Sequence, residues 1–275
     1  MVHRRTLLAA AAAAPLAGCA IKHVGTQREF RVATFNIWHD AADWPARLPL
    51  ILAALREADA DIIALQEVLE DADKGLVNQA RTIAASLGGY TYRFASPDAP
   101  GSRRRFGCAL LTRLPVLEND DHRLEPLNDF RVALRLRIVA GELPIDAVCT
   151  HLAWQPDAGP IRARQLESLL GWLPAQNVPV VLMGDFNAPS TDEGLRPLAA
   201  RFTNAPLPPR ITTTLNPAKG HQPRVIDHIF FQRDAFVSSD AVLFGDRDAN
   251  GVYPSDHFGV RATLRLLKGL ARERV

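Results

Sequence analysis

The chain has little of what would mark it as a special case. Cysteine occurs only 3 times in 275 residues, too few for a scaffold held together by disulfides. Cys and His at zinc-binding spacings are missing. The only long apolar run, Leu7 to Ala17, contains Pro15 and falls well short of the roughly 20 residues that span a bilayer. Glycine (17) and proline (20) are too sparse for a low-complexity chain. An excess of one charge is also lacking, since 32 basic residues face 30 acidic ones. Without Arg4 and Arg5 the basic count equals the acidic count of 30. A body this close to neutral lacks the general basic field that favours non-specific nucleic-acid binding, so net charge does not favour that partner and leaves only a local patch. What remains is ordinary globular composition, 47% apolar and 23% charged, which excludes wholesale disorder, collagen and coiled coil. The length suits one large domain or two small ones.

The first 29 residues read as an address rather than as fold. His3-Arg4-Arg5 is a basic head, Thr6 to Ala17 an apolar body, and Leu16-Ala17-Gly18-Cys19 follows. The paired arginines resemble a twin-arginine export signal, and the quartet resembles a bacterial lipobox. The expectation is a signal peptide over 1–18, acylation of Cys19, and a tether over 19–29 leading to a domain over 30–268. The protein is then exported and lies at the cell envelope. It is either lipid-anchored, on the periplasmic side of the outer membrane, or free in the periplasm. Several acyl chains hold a protein stably where one chain is marginal.

From residue 30 onward strands and helices alternate. Phe30 to Asn36 is β-rich. Pro45 opens a helix carrying Leu48, Ile51, Leu52 and Leu55 at helical spacing. Asp61 to Gln66 reads as a buried strand ending at Glu67. A second helical stripe, Val77, Ala80, Ala84 and Leu87, stops at Gly88-Gly89. Strands are expected near 90–95, 107–113, 130–139, 144–150, 178–183, 225–231, 236–244 and 258–267, and a third helix over 161–173. Between 131 and 138, Arg131, Arg135 and Arg137 alternate with Val132, Leu134, Leu136 and Ile138, which predicts a solvated arginine face. Cys108 and Cys149 lie in apolar stretches, as buried free thiols or as a disulfide. Many strands with only three clear helices predict a four-layer α/β/β/α sandwich: two packed, mostly antiparallel mixed sheets flanked by helices.

Polar residues collect where these strands stop. They are Asn36, Glu67, His151, Asp185 with Asn187, Asp227 with His228, and Asp256-His257. Taken singly each is unspecific, because asparagine and aspartate at a strand end usually form turns.

The ordered set is far more specific. Thr34-Phe35-Asn36-Ile37-Trp38, Leu65-Gln66-Glu67-Val68, Thr150-His151-Leu152, Gly184-Asp185-Phe186-Asn187, Ile226-Asp227-His228-Ile229 and Ser255-Asp256-His257-Phe258 resemble the endonuclease/exonuclease/phosphatase superfamily. That superfamily includes deoxyribonucleases, abasic-site nucleases, neutral sphingomyelinases and inositol polyphosphate phosphatases, and the resemblance covers about residues 30 to 267. It implies Mg²⁺ or Mn²⁺ held by Glu67 with Asn36 and Asp256. It further implies His257 steadied by Asp227, and a water aligned and activated by Asp185. Either the aspartate or the histidine takes the proton. His151 and Asn187 are implied as donors to the phosphoryl oxygens. Alternation points His228 away from Asp227, which suits packing better than catalysis. Where some family nucleases carry a second acidic ligand, Trp38 stands. His39 and Asp40 follow, on the wrong alternation for a simple swap.

The implied reaction is in-line hydrolysis of a phosphoester, with a phosphodiester of nucleic acid, a phospholipid head group or a small organophosphate as substrate. Arg103, Arg104 and Arg105 form the one dense basic cluster, either gripping phosphate or lying on a solvated loop. Trp154 either lines the rim or packs. The chain is expected to be a monomer. The other class of function is a catalytically silent family member acting as an envelope binding or assembly module. The filled set of motif positions favours the enzyme.

Overall fold

The computed structural model describes residues 29–141, 143–174 and 178–267. The expected signal peptide, Cys19 and all but the last residue of the expected tether lie outside these. That last residue, Glu29, already opens strand β1.

Twelve strands form two six-stranded sheets among the described residues. They are β1 (Glu29–Asn36), β2 (Ile62–Asp71), β3 (Thr91–Ala95), β4 (Arg104–Thr112), β5 (Val116–Arg123), β6 (Val132–Ala140), β7 (Leu143–His151), β8 (Val180–Asp185), β9 (Phe202–Asn204), β10 (Asp227–Gln232), β11 (Phe236–Phe244) and β12 (Gly259–Leu266). The first sheet runs β11-β12-β1-β2-β4-β3 and the second β5-β6-β7-β8-β10-β9. Each has one parallel pair, β1 with β2 and β7 with β8, among antiparallel neighbours. Each parallel pair needs a crossover, supplied by helices α1 (Trp44–Ala58) and α3 (Gly159–Trp172). A third helix, α2 (Gln79–Leu87), starts at the Asn78 cap and stops at Gly88.

Period-two alternation then builds the layers. On β1, Phe30 and Val32 face the second sheet, while Ala33 and Phe35 face α1 and α2. On β7, Ile145, Ala147 and Cys149 face the first sheet, while Val148 packs with Leu166 and Leu169 of α3. The result is helix, sheet, sheet, helix, the expected four-layer sandwich.

Several local expectations need correction. Strand β5 is polar and almost wholly exposed, an edge strand with no hydrophobic pattern to reveal it. The three-residue β9 is too short to leave one. Strand β2 does not end at Glu67. It continues to Asp71 past a β-bulge between Leu65 and Val68, with Glu67 at φ 57°. Arg135 and Arg137 are not solvated. They are 5% and 7% exposed because both pair with buried Asp146 and with Glu118. Cys108 and Cys149 are buried free thiols.

Candidate active site

The rows of side chains that fill the space between the sheets turn polar where the strands end. Asn36 continues the row of Phe30 and Val32, and His151 continues that of Ala147 and Cys149. Asp185 follows Val181 and Met183, and Asp227 precedes Ile229 and Phe231. The two parallel pairs deliver their carboxyl ends to one rim. The same alternation that makes the core therefore aims these four buried polar groups at one another.

They meet at Asp185. Its Oδ2 accepts a hydrogen bond from Asn36 Nδ2 at 3.1 Å. It also lies 3.4 Å from His151 Nε2 and 3.8 Å from His257 Nε2. Its Oδ1 accepts from the Asn187 backbone N–H at 2.9 Å. Asn36 Nδ2 reaches Glu67 Oε1 at 3.2 Å. The bulge makes this approach feasible, because the left-handed backbone at Glu67 re-aims its side chain. His257 Nδ1 binds Asp227 Oδ2 at 3.0 Å. Its loop is anchored by Ser255 Oγ, which donates to Asn36 O at 2.7 Å and accepts from His257 N at 3.1 Å. Glu67 and His257 thus share one site, linked through Asn36 and Asp185. Asn187 Nδ2 donates one hydrogen to Leu152 O at 3.1 Å and retains a second.

The electrostatics separate the two active-site histidines. Burial, aided by the Arg131 charge and opposed by Asp185, pulls His151 down to about 3, so it is neutral. Burial also works against His257, but Asp227 and Asp185 outweigh it and lift His257 to about 10. Asp227 is raised to about 6 by burial, against the attraction of His257. At neutral pH this is a carboxylate–imidazolium pair. Asp185 stays below the usual carboxylate range because the imidazoles of His151 and His257 overcome its burial. His228 turns away, as alternation required. Its Nε2 donates to Ala188 O at 2.9 Å, and its Nδ1 accepts from Asn204 Nδ2 at 3.2 Å.

Sequence reasoning set aside one histidine, His39, and missed another, His221, together with Arg47. His39 Nε2 stands 4.0 Å from Glu67 Oε2. Simple alternation failed there because Trp38 and His39 both take positive φ, turning the chain back over the site. Arg47 holds that turn. Its five N–H groups donate to the carbonyls of Ile37, Trp38, His39, Ala41 and Pro254. His221 Nε2 lies 3.1 Å from Asp256 Oδ2, brought there by a long loop that carries no periodic signal. The basic cluster is largely neutralised. Arg103 pairs with Asp73, Arg105 with Glu70 at 3.2 Å, and Arg104 lies over the Phe106 ring. Trp154 does not pack, being 62% exposed.

The donor set fits a hard divalent cation. Burial raises the Glu67 carboxyl above its ordinary value; the Asn36 amide and His257 oppose this, and Asp256 adds to it. A cation between Glu67 and Asp256 would relieve both burial and repulsion. Ligand-type atoms of Asp185, Asp227 and His257 also lie within 4.8 Å of one another. There the imidazolium already occupies the space between the carboxylates, so the Glu67 side is the better seat.

The pattern of the Endonuclease/Exonuclease/phosphatase family matches residues 33–257. The chain belongs to that family. Its members are hydrolases of phosphoester bonds and are generally dependent on a divalent metal. Among curated relatives, protein angel homolog 2 of Danio rerio is 34% identical over 167 residues, 53% of this chain and 28% of its own. The Bos taurus homologue is 28% identical over 173 residues, again 53% of this chain and 29% of its own. The chain thus spans less than a third of the length of these relatives. The human Nocturnin catalytic domain with bound sulfate superposes with a TM-score of 0.70, covering 87% of this chain and 94% of that one at 23% identity. A mannosyl-6-phosphatase from Bacteroides thetaiotaomicron superposes with a TM-score of 0.69, covering 86% and 99% at 20% identity. Both share the fold.

Proposed function

We propose that this family member is a divalent-metal-dependent phosphodiesterase that hydrolyses its substrate by in-line attack of water. The observation that carries the reading is the convergence of Asn36, His151 and His257 on one oxygen of Asp185, at 3.1, 3.4 and 3.8 Å. Asp185 is ionised and accepts hydrogen bonds, so it orients the attacking water. It is also the group free to take that water's proton, because His257 already carries one. The imidazolium of His257, backed by Asp227, faces the charge that builds on the phosphoryl group. Neutral His151 and the second amide hydrogen of Asn187 donate to the phosphoryl oxygens. Mg²⁺ or Mn²⁺, held by Glu67 with Asn36 and Asp256, would polarise a phosphoryl oxygen.

The test is hydrolysis of bis-p-nitrophenyl phosphate with Mg²⁺ or Mn²⁺. Chelation is expected to abolish turnover, and Glu67→Gln and His257→Ala each to lower kcat by about 100-fold or more with the fold intact. Equal turnover by all three proteins would remove the site assignment. A folded wild type inert on every phosphoester class would favour the binding-module reading.

A further inference from the structure

The turn that carries the chain back over the site after β1 is strained. Trp38, His39 and Ala42 all take positive φ, at 57°, 31° and 51°. Residues other than glycine keep such a backbone only where surrounding contacts enforce it. The enforcing contacts are buried. Arg47, 1% exposed, donates to the Trp38 and His39 carbonyls at 3.0 and 2.7 Å. Gln79, also buried, donates to His39 O at 2.8 Å and accepts from Leu69 N at 2.9 Å. One glutamine therefore ties the His39 backbone to β2 just beyond the bulge at Glu67. The turn and the bulge are fixed to each other, and His39 and Glu67 with them.

The His39 side chain is held from its other end. Its Nδ1 lies 3.0 Å from Asp40 Oδ1, and Lys74 Nζ pairs with Asp40 Oδ2. The Phe106 ring meets the imidazole edge to face, with centroids 6.1 Å apart. An ionised carboxylate only accepts, so Nδ1 carries the hydrogen and Nε2 is left with a lone pair. That nitrogen stands 4.0 Å from Glu67 Oε2, too far for a hydrogen bond. It is the spacing of two donors that share one ion, because ligands about 2.1 Å from a metal stand roughly 3 to 4 Å apart. A carboxylate behind the imidazole is also the arrangement that orients a metal-binding histidine. The Asn36 amide oxygen, meanwhile, already accepts from Trp38 N at 3.0 Å. The turn thus occupies part of one oxygen donor while it brings in a nitrogen.

We propose that His39 is a ligand of the divalent ion on the Glu67 side of the site, oriented by Asp40 and Lys74, and that its nitrogen makes the site prefer Mn²⁺ to Mg²⁺. Mg²⁺ takes oxygen donors and gives up water reluctantly, whereas first-row transition ions accept imidazole. This deepens the phosphodiesterase reading and rests on its metal site. His221 is the competing nitrogen donor. Its Nε2 is already hydrogen-bonded to Asp256 Oδ2 at 3.1 Å, which sets it behind His39.

The experiment uses protein stripped of metal by chelation and needs no substrate. Mn²⁺ and Mg²⁺ are titrated in separately by calorimetry, and the Mn²⁺-loaded protein is probed by electron spin-echo spectroscopy for modulation from a directly bound nitrogen. Wild type is expected to bind Mn²⁺ about ten-fold or more tightly than Mg²⁺ and to show the nitrogen signal. His39→Asn tolerates the left-handed backbone, so its metal-free Tm is expected not to fall. Its Mn²⁺ affinity is expected to drop about ten-fold, toward parity with a little-changed Mg²⁺ affinity, and the nitrogen signal to vanish. Asp40→Asn is expected to weaken Mn²⁺ by a smaller factor and to keep the signal, and His221→Gln to keep it as well. Mn²⁺ bound by wild type without a nitrogen signal, or equal binding of the two ions, would overturn the inference. So would a signal that survives in His39→Asn, and its loss in His221→Gln would then make that histidine the ligand. A nitrogen signal in a protein that hydrolyses no phosphoester would instead sink the enzymatic reading alone.

Discussion

His228 is a buried neutral base, held as the Nε2–H tautomer by Ala188 and Asn204. Burial pulls it down to about 4, against an ordinary value of 6.5. The unfolded chain therefore takes up a proton below about pH 6.5 that the folded chain refuses until about pH 4. Its contribution to stability is fully present above pH 6.5 and is lost as the pH falls from there toward 4. Denaturant titrations at pH 7 and 4.5 are expected to show wild type losing on the order of 2 kcal/mol more than His228→Gln over that interval. An identical pH dependence in the two proteins would show that His228 is not held neutral. His151 acts in the same direction, being held near 3, so acid sensitivity and the neutral donor at the site share one cause.

At the scale of the element, the site depends on how closely β7 and β8 lie side by side. Gly184 stands opposite Thr150 in this parallel ladder, and a Cβ there would fall 2.1 Å from Thr150 O. That carbonyl is backbone and cannot swing aside, so the two strands would have to part. Gly184→Ala is expected to destabilise the fold by about 2–3 kcal/mol in chemical denaturation. It should also lower kcat, because His151 and Asp185 are the next residue along each strand and stand opposite one another. A variant as stable and active as wild type would show that the strands have room to spare. The elements also show which features a sequence reveals. Strands with a buried face, such as β1 and β8, announce themselves by apolar residues. Edge strand β5, with polar residues on both faces, carries no such signal. The bulge at Glu67 is equally silent, since the residue type does not disclose a backbone set by the strand beside it.

For the whole molecule, the proposed envelope tether and the near-neutral body lead to one expectation. If Cys19 is acylated, wild-type protein should sediment with membranes, and Cys19→Ala should release it in soluble, active form. Membrane association unchanged by the substitution would reject the lipid anchor. No helix among the described residues is long and apolar enough to cross a bilayer.

The order of short motifs, the alternation within strands and the spacing of apolar residues on helices were enough to fix the four-layer architecture and the family, and to pick out Asn36, Glu67, His151, Asp185, Asn187, Asp227, Asp256 and His257 as the polar set of the proposed site. These properties are local, or repeat along the chain, so a linear text carries them. Tertiary structure alone decided the rest. It made Asp185 the meeting point, because separation in space between residues 149 apart in sequence, such as Asn36 and Asp185, has no linear record. It turned His39 and His221 inward and folded Arg135 and Arg137 onto Asp146. Each of these depends on a neighbour contributed by a distant segment, and on backbone angles that such neighbours impose.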